Sequence, residues 1–340
     1  MKKWIVIFLI ALISAGIWLK TYEQQARKTV LLNVAYDVIR DFYKEYNLEF
    51  RQAYKAQQGQ DLMISQSHGG ASKQTLSVAS GLPADVVTLT QSSDVDTLVK
   101  KGLVDSHWQQ ALPNHSVPFG SVMVFLVKKG NPKNIHDWHD LIRDDVSVIF
   151  ANPKTSANGR FAYLSAYAYA KAQGDEQQAQ AFMKKILARV PVLESGARGA
   201  SISFTQRNLG DVLIAPENEA ALAAKALGEN SFSVIYPSYT AYTPVYVAEV
   251  NANTKINGTH EQAQAYLRNL WSEAAQELAV KHHFRPTNEK ILQKSTALFP
   301  PVNSFDVNQV FGDWAIINQT HFADNALFDQ LYIAAQHKDK

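Results

Sequence analysis

The sequence of 340 residues contains no cysteine, so it can form no disulfide, no thiolate metal site and no lipid-modified cysteine anchor. It also has little charge imbalance, since 33 lysine and arginine residues face 31 aspartate and glutamate residues. A protein that binds nucleic acid usually carries a clear basic excess. We therefore expect no nucleic-acid partner.

Motifs of the common enzyme classes are also missing. The chain has no Gly-x-Ser-x-Gly elbow, no Walker loop and no His-Glu-x-x-His pair. His282 and His283 are adjacent, and adjacent residues of a helix do not share a face, so we interpret them as a solvated helix end. Asp94 and Asp96 are interpreted as exposed or capping charges. We predict a protein that is not an enzyme, with no catalytic residue, metal site or cofactor.

The first twenty residues have the pattern of an export signal. Lys2 and Lys3 precede an uncharged apolar run from Trp4 to Leu19, and Lys20 follows it. The run is shorter than the about 20 residues that span a bilayer. We favour a signal peptide over residues 1–20 and a periplasmic protein, with a retained inner-membrane anchor as the alternative.

From residue 30, apolar strands alternate with amphipathic helices, which is typical of an α/β fold with a parallel sheet. Ligands of such sheets bind beyond the carboxyl ends of the strands. Asp37 follows the first strand as a predicted N-cap. Gly69 and Gly70 follow the second, where we expect a turn with positive φ and a helix capped by Ser72. Several N–H groups would then point at one spot, which suits an anion.

The pattern restarts after Gly130-Asn131-Pro132, which indicates a second lobe. Three more polar loops follow strands there, at 152–159, 195–199 and 216–219. We assign residues 30–122 to the first part of lobe 1 and 124–240 to lobe 2, with 244–340 returning to lobe 1 and ending in C-terminal helices. More than one crossing without a flexible linker is the wiring of a hinged clamshell. We expect a monomer.

Six motifs, in this order and spacing, resemble the periplasmic sulfate-binding proteins of sulfate and thiosulfate importers, and the resemblance runs from about Leu31 to Asp329. They are Ser67-His68-Gly69-Gly70, Asn152-Pro153-Lys154, Ser195-Gly196-Ala197-Arg198-Gly199, Gly210-Asp211-Val212-Leu213-Ile214-Ala215, Phe284-Arg285-Pro286 and Val310-Phe311-Gly312-Asp313-Trp314-Ala315.

The resemblance implies a two-lobed periplasmic binding fold of type II, with the ligand cleft between the lobes. Such a protein closes on sulfate, or on thiosulfate or another oxyanion, and delivers it to a membrane permease driven by an ATPase subunit. A membrane-anchored sensor or accessory protein of the same fold is the alternative.

The same resemblance implies a site of neutral donors with no counter-charged side chain. The first group is the amides of Asp37 and of Ala71, which follows Gly70. The second is the hydroxyl of Ser156 with the amides of Ala157 and Asn158, where the family usually has two glycines. The amide of Ala197 completes the set, with Arg198 bracing its peptide from behind. Lys73 and Lys154 are assigned to long-range steering of the anion rather than to contact.

Pro216 departs from the family, because the resemblance places a tryptophan indole donor there. Proline has no N–H group of any kind. One charge-assisted hydrogen bond would be absent, which is worth roughly 1.5–3 kcal/mol. Sulfate would then bind more weakly, or a larger or asymmetric anion such as thiosulfate would use the space.

Overall fold

The computed structural model describes residues 29–226 and 231–337. Residues 1–28 lie outside these ranges, and so does the predicted signal peptide or anchor. Among the helices of the two described ranges, none is long and apolar enough to cross a membrane.

Twelve strands and fourteen helices cover most of the described chain. The strands are β1 (Thr29–Tyr36), β2 (Leu62–Gly69), β3 (Val86–Leu89), β4 (Phe119–Lys128), β5 (Val148–Ala151), β6 (Leu193–Glu194), β7 (Val212–Pro216), β8 (Phe232–Ile235), β9 (Thr240–Pro244), β10 (Tyr246–Glu249), β11 (Arg285–Pro286) and β12 (Ser304–Phe305). The helices are α1 (Arg40–Gln58), α2 (Ala71–Ala79), α3 (Ser92–Lys100), α4 (Ala157–Gln173), α5 (Glu176–Leu187), α6 (Ala197–Thr205), α7 (Glu217–Ala226), α8 (Asn251–Asn257), α9 (His260–Arg268), α10 (Glu273–Lys281), α11 (Glu289–Lys294), α12 (Val307–Phe311), α13 (Trp314–Ile317) and α14 (Leu327–Gln336). Short 3₁₀ turns cover Asp37–Ile39, Trp108–Gln110, Trp138–Ile142 and Asn269–Trp271, a further short helical turn covers Pro113–Ser116, and a π-helical turn covers Asn318–Phe322.

Lobe 1 is built on a four-stranded sheet in the order β10-β3-β1-β2. β1 is parallel to both β2 and β3, and β10 is antiparallel to β3. In the sequence, Val38, Phe42, Tyr46, Phe50 and Tyr54 recur at helical spacing, which predicts an amphipathic stripe. The last four lie in α1 and are buried in the core of this lobe, and Val38 packs against it. The three parallel strands end at the same edge, which is where ligands of such sheets bind.

Lobe 2 is built on the second sheet, whose order is β12-β9-β4-β7-β5-β6, with β8 and β11 also paired to β4. β5 is parallel to β6 and β7, so their carboxyl ends share an edge. Helices α4 and α5 cover one face of this sheet, and α6 and α7 contribute to the core on the other face. The fold is therefore a two-lobed α/β clamshell.

The chain passes between the lobes three times. β4 starts among the core residues of lobe 1 at Phe119 and continues into lobe 2. It pairs with β9, and the next strand, β10, returns to the sheet of lobe 1. β11 pairs with the start of β4, and β12 then pairs with β9 of lobe 2. Adjacent crossings of this kind form a hinge rather than a linker.

The chain after residue 244 is shared between the lobes. Buried residues from Val245 to Phe284 belong to the core of lobe 1, as expected for a returning segment. From Phe305 onward the buried residues belong to the core of lobe 2 instead. Aromatic packing holds them there, since Trp314 contacts Phe161 and Phe328 contacts Tyr163 of α4.

Candidate functional site

A cavity of about 320 Å³ lies between the two lobes, at the edge where the parallel strands of both sheets end. The sequence predicted eight residues of the site from separate loops, and all eight line this one cavity. They are Asp37, Gly70, Ala71, Ser156, Ala157, Asn158, Ala197 and Arg198. The structure thus brings the residues together, while their contacts with a ligand remain a prediction.

Three helical segments begin at this cavity without a side-chain cap. The 3₁₀ turn at Asp37 follows Tyr36, α2 follows Gly70 and α6 follows Gly196, and none of these N-cap residues accepts a hydrogen bond through its side chain. The first N–H groups of a helix have no partner within the helix, and its N-terminus carries about half a positive charge. Such termini suit an anion.

Three details of these starts differ from the sequence predictions. Asp37 is the first residue of its turn and not the N-cap, and Gly70 caps α2 with a negative φ of −59°. Neither Gly69 nor Gly70 is among the glycines with positive φ. Ser72 does not cap α2, because its hydroxyl donates to the Asp94 carboxylate at 3.3 Å. The loop turns within ordinary extended and helical geometry, so positive φ is not required there.

Ser156 is the N-cap of α4, and its Oγ accepts a hydrogen bond from the Gly159 N–H at 3.3 Å. The hydroxyl hydrogen is not used by that bond and can be donated to a ligand. Ala157 and Asn158 are helical and are not among the residues with positive φ, so the glycines of the family are not needed for backbone geometry. Gly159 is needed, since a Cβ there would lie 2.2 Å from the Ala151 carbonyl oxygen.

The charged groups around the cavity are partly occupied with one another. Arg40 pairs with the Asp37 carboxylate at 2.6 Å, and Arg198 lies 3.8 Å from the other oxygen of the same group. The Arg198 side chain is 70% exposed. It contacts Asp37 across the cleft, and this ion pair does not support the Ala197 peptide. The attraction of such an exposed pair is small.

The two lysines assigned to steering behave differently. Lys73 lines the cavity. Lys154 instead pairs with Asp329 at 2.9 Å and Asp324 at 3.2 Å, and it also donates to the Ala323 carbonyl. Its charge is offset by the two carboxylates, so these contacts do not support a steering role for Lys154, and that role stays a prediction.

Two buried carboxyl groups lie behind the cavity wall. Burial raises the pKa of Asp94 to about 6, opposed by the charge of Arg160 and the bond from Ser72. The interpretation of Asp94 as an exposed or capping charge is therefore wrong. Burial likewise raises the pKa of Glu219 to about 7, opposed by the hydrogen bond from Ser201 and reinforced by the Asp37 charge. At neutral pH Glu219 is therefore only partly ionised, whereas Asp94 is mostly ionised.

Pro216 is the last residue of β7, opposite Met123, and does not line the main cavity. It lies in a narrow crevice beside Asn158 and Ala197, which both do. The next residue, Glu217, is buried and forms a two-point ion pair with Arg285 of β11, at 2.6 and 2.8 Å. The end of β7 is thereby attached to the third crossing between the lobes.

Sequence reasoning missed three threonine and serine residues that also line the cavity, namely Thr90, Thr155 and Ser195. The Thr155 hydroxyl donates to the Ser195 carbonyl at 2.9 Å and so ties two loops of lobe 2 together. Thr90 follows the buried strand β3 directly, as Asp37 follows β1. The rule that ligands meet strand ends would have indicated it.

Comparison with known proteins gives a consistent result. Residues 31–285 match the family model of bacterial extracellular solute-binding proteins. The chain is 47% identical to a thiosulfate-binding protein of Pseudomonas aeruginosa, over 96% of this chain and 98% of that one. It is 43% identical to a sulfate-binding protein of Salmonella typhimurium, over 97% and 99%.

Among solved structures, the sulfate-binding protein SubI from Mycobacterium tuberculosis superposes with a TM-score of 0.76 at 31% identity, covering 86% of this chain and 99% of that one. Near-complete coverage in both directions means that the whole two-lobed architecture is shared. The chain therefore belongs to the bacterial extracellular solute-binding proteins, within the family of sulfate- and thiosulfate-binding proteins.

Proposed function

We propose that this protein binds sulfate or thiosulfate in the cavity between its lobes. One observation carries the proposal: uncapped helix starts from both lobes and the Ser156 hydroxyl surround a single cavity of about 320 Å³. Removing an ion from water costs on the order of 20 kcal/mol in a dry interior, so each oxygen of a dianion must meet a fixed donor. Amides of Asp37, Ala71, Ala157, Asn158 and Ala197 are the donors that we assign.

Donors alone also give selectivity. The backbone N–H groups that we assign cannot accept a hydrogen bond, so the proton of hydrogen phosphate would find no acceptor among them, which costs binding energy. Fully ionised sulfate and thiosulfate carry no such proton. Pro216 supports thiosulfate as the second candidate, since the side chain beside Asn158 and Ala197 offers no N–H to a fourth oxygen.

We further propose that the protein acts in the periplasm and delivers its ligand to the permease subunits of an ATP-driven importer. The names of the relatives support an extracellular solute-binding role. A single copy contributes every loop of the cavity, so a monomer is sufficient for binding.

Isothermal titration calorimetry tests the ligand assignment. We expect binding of sulfate and thiosulfate with 1:1 stoichiometry and no measurable binding of hydrogen phosphate. Molybdate serves as a control for a larger tetrahedral dianion. Absence of heat with both sulfur oxyanions would reject the proposed function, and the sensor or accessory role would then be the remaining candidate.

A further inference from the structure

We propose that Thr90 is a further ligand-binding residue, whose side-chain hydroxyl donates a hydrogen bond to the bound oxyanion. The inference rests on the proposed function and adds a side-chain donor from lobe 1 to it. Two observations support it: the position of Thr90 in the sheet, and the state of its hydroxyl compared with that of Thr88.

The sheet of lobe 1 places Thr90 level with two residues already assigned to the site. In the strand register, Ala35 of β1 lies opposite both His68 of β2 and Thr88 of β3. Two residues further along each chain are Asp37, Gly70 and Thr90, and all three line the cavity. The three parallel strands therefore deliver one residue each to the same edge of the sheet.

The hydroxyl of Thr90 has no protein partner. The residue is 4% exposed, and its Oγ1 is shielded from solvent and forms no hydrogen bond with any other described residue. A buried hydroxyl without a partner is destabilising, so native proteins rarely keep one without a reason. Because Thr90 lines the cavity and its χ1 has three staggered positions, the hydroxyl can turn towards a ligand without backbone movement.

Thr88, two residues earlier, shows what a structural threonine looks like on this strand. Its Oγ1 lies 2.6 Å from the Tyr43 hydroxyl and donates to Asn33 Oδ1 at 3.4 Å. The hydrogen-bonding capacity of Thr88 is used inside the core, whereas that of Thr90 is left for the cavity. Thr88 therefore has a structural role within β3, whereas Thr90, directly after this strand, is available for binding.

A hydroxyl at Thr90 would give the cavity a side-chain donor from lobe 1, in addition to the Ser156 hydroxyl of lobe 2. Contacts from both lobes also couple binding to closure of the cleft.

Calorimetry of Thr90→Val and Thr90→Ser against sulfate and thiosulfate tests the inference. Thr90→Val keeps the shape and removes the hydroxyl, so we expect binding roughly ten- to hundred-fold weaker. Thr90→Ser keeps the hydroxyl and should bind within a few-fold of the wild type. Thermal unfolding without anion should show Thr90→Val to be at least as stable as the wild type, because an unpaired buried hydroxyl has been removed.

Thr88→Val is the matched control. It should lower the unfolding temperature, because it removes the hydrogen bond between the Thr88 and Tyr43 hydroxyls, and it should leave the affinity nearly unchanged. Wild-type binding with an equally tight Thr90→Val variant would overturn the inference and leave the proposed function intact. A wild type that binds neither anion would reject the proposed function, and the role of Thr90 with it. Thr90→Ala is the second variant if Thr90→Val does not fold.

Discussion

Three helix starts at the cleft and five elsewhere on the molecule differ in how they use their first N–H groups. Away from the cavity, Asp175, Ser272, Asn288, Asp306 and Asp313 each cap a helix with their own side chain. At the cavity, Tyr36, Gly70 and Gly196 occupy the same position and offer no side-chain acceptor. A capped helix satisfies itself, and an uncapped one keeps its donors for a ligand. Helices α8, α9 and α14 also lack a side-chain cap, and Ser156 does cap α4 at the cavity. The proposed binding therefore rests on uncapped starts from both lobes that meet at one cavity, not on the lack of a cap alone.

The largest loss of affinity is expected when a helix that starts at the cleft is given its own side-chain cap. Gly196 has an extended backbone, and a Cβ there would meet no atom within 4 Å, so Gly196→Asp fits. The carboxylate would accept N–H groups of α6 and repel the dianion. We expect sulfate affinity to fall at least about a hundred-fold while the helix gains about 0.5–1 kcal/mol.

Gly196→Ala is the control for this variant, since it adds a side chain without a cap or a charge. Its affinity should stay within a few-fold of the wild type in the same calorimetric titration. Unchanged binding by Gly196→Asp would show that the start of α6 does not face the anion.

Removal of the hydroxyl at Ser156 should have the next largest effect. Ser156→Ala loses a donor to a charged ligand, worth roughly 1.5–3 kcal/mol of binding. It also loses the cap of α4, which costs about 0.5–2 kcal/mol of folding stability. Titration and denaturant unfolding measure the two effects separately.

Ser272→Ala isolates the capping effect, because Ser272 caps α10 by accepting from the Ala275 N–H at 3.2 Å and lies outside the cavity. We expect a similar loss of stability and unchanged sulfate affinity. Equal affinity losses in both variants would mean that Ser156 acts through folding alone.

Glu219 allows a test through stability instead of affinity, because one oxygen of this buried carboxyl has no partner among the described residues. Its pKa of about 7 lies above the ordinary value of 4.5, so the folded protein favours the neutral form. The contribution of Glu219 to the free energy of unfolding is therefore largest below about pH 4.5 and falls as the pH rises to 7. Glu219→Gln should remove this loss and be more stable than the wild type at pH 8 by on the order of 2 kcal/mol.

Urea denaturation from pH 4 to 8 measures this difference. The gain of Glu219→Gln should shrink towards pH 4 and reach its plateau above pH 7. A gain that is the same at every pH would show that folding does not shift the pKa of Glu219.

Restoring a donor at Pro216 should have the smallest effect. Pro216→Trp supplies an indole N–H beside Asn158 and Ala197, and we expect about a ten-fold gain in sulfate affinity. Pro216→Phe is the control, since it adds an aromatic ring without an N–H group. Calorimetry should show a gain for tryptophan alone, and an equal change in both variants would assign the effect to ring packing.

Local patterns in the sequence predicted much of this fold. The aromatic stripe of α1 and the strand-to-helix junctions at Asp37, Gly70 and Ser156 depend on neighbouring residues, and they are where the sequence placed them. The family resemblance is confirmed by relatives that cover nearly the whole chain.

Long-range packing explains what the sequence did not predict. Lys154 meets Asp329 at a separation of 175 residues, and the C-terminal helices pack on lobe 2 through contacts such as Trp314 with Phe161. Asp94 is buried because lobe 1 and α4 meet there, where Arg160 donates to Gln91 across the cleft. No local pattern encodes such pairings, since either partner alone has the composition of a solvated surface.

A crystal structure of the protein with bound selenate tests the central claim most directly, because the anomalous signal of selenium locates the anion. We predict one anion in the cavity, with oxygens within 3.2 Å of the amides of Asp37, Ala71 and Ala197 and of the Ser156 hydroxyl. Lys73 and Arg198 should not contact it. An anion held by those two side chains, or located outside the cavity, would contradict the claim that neutral donors at helix starts bind the ligand.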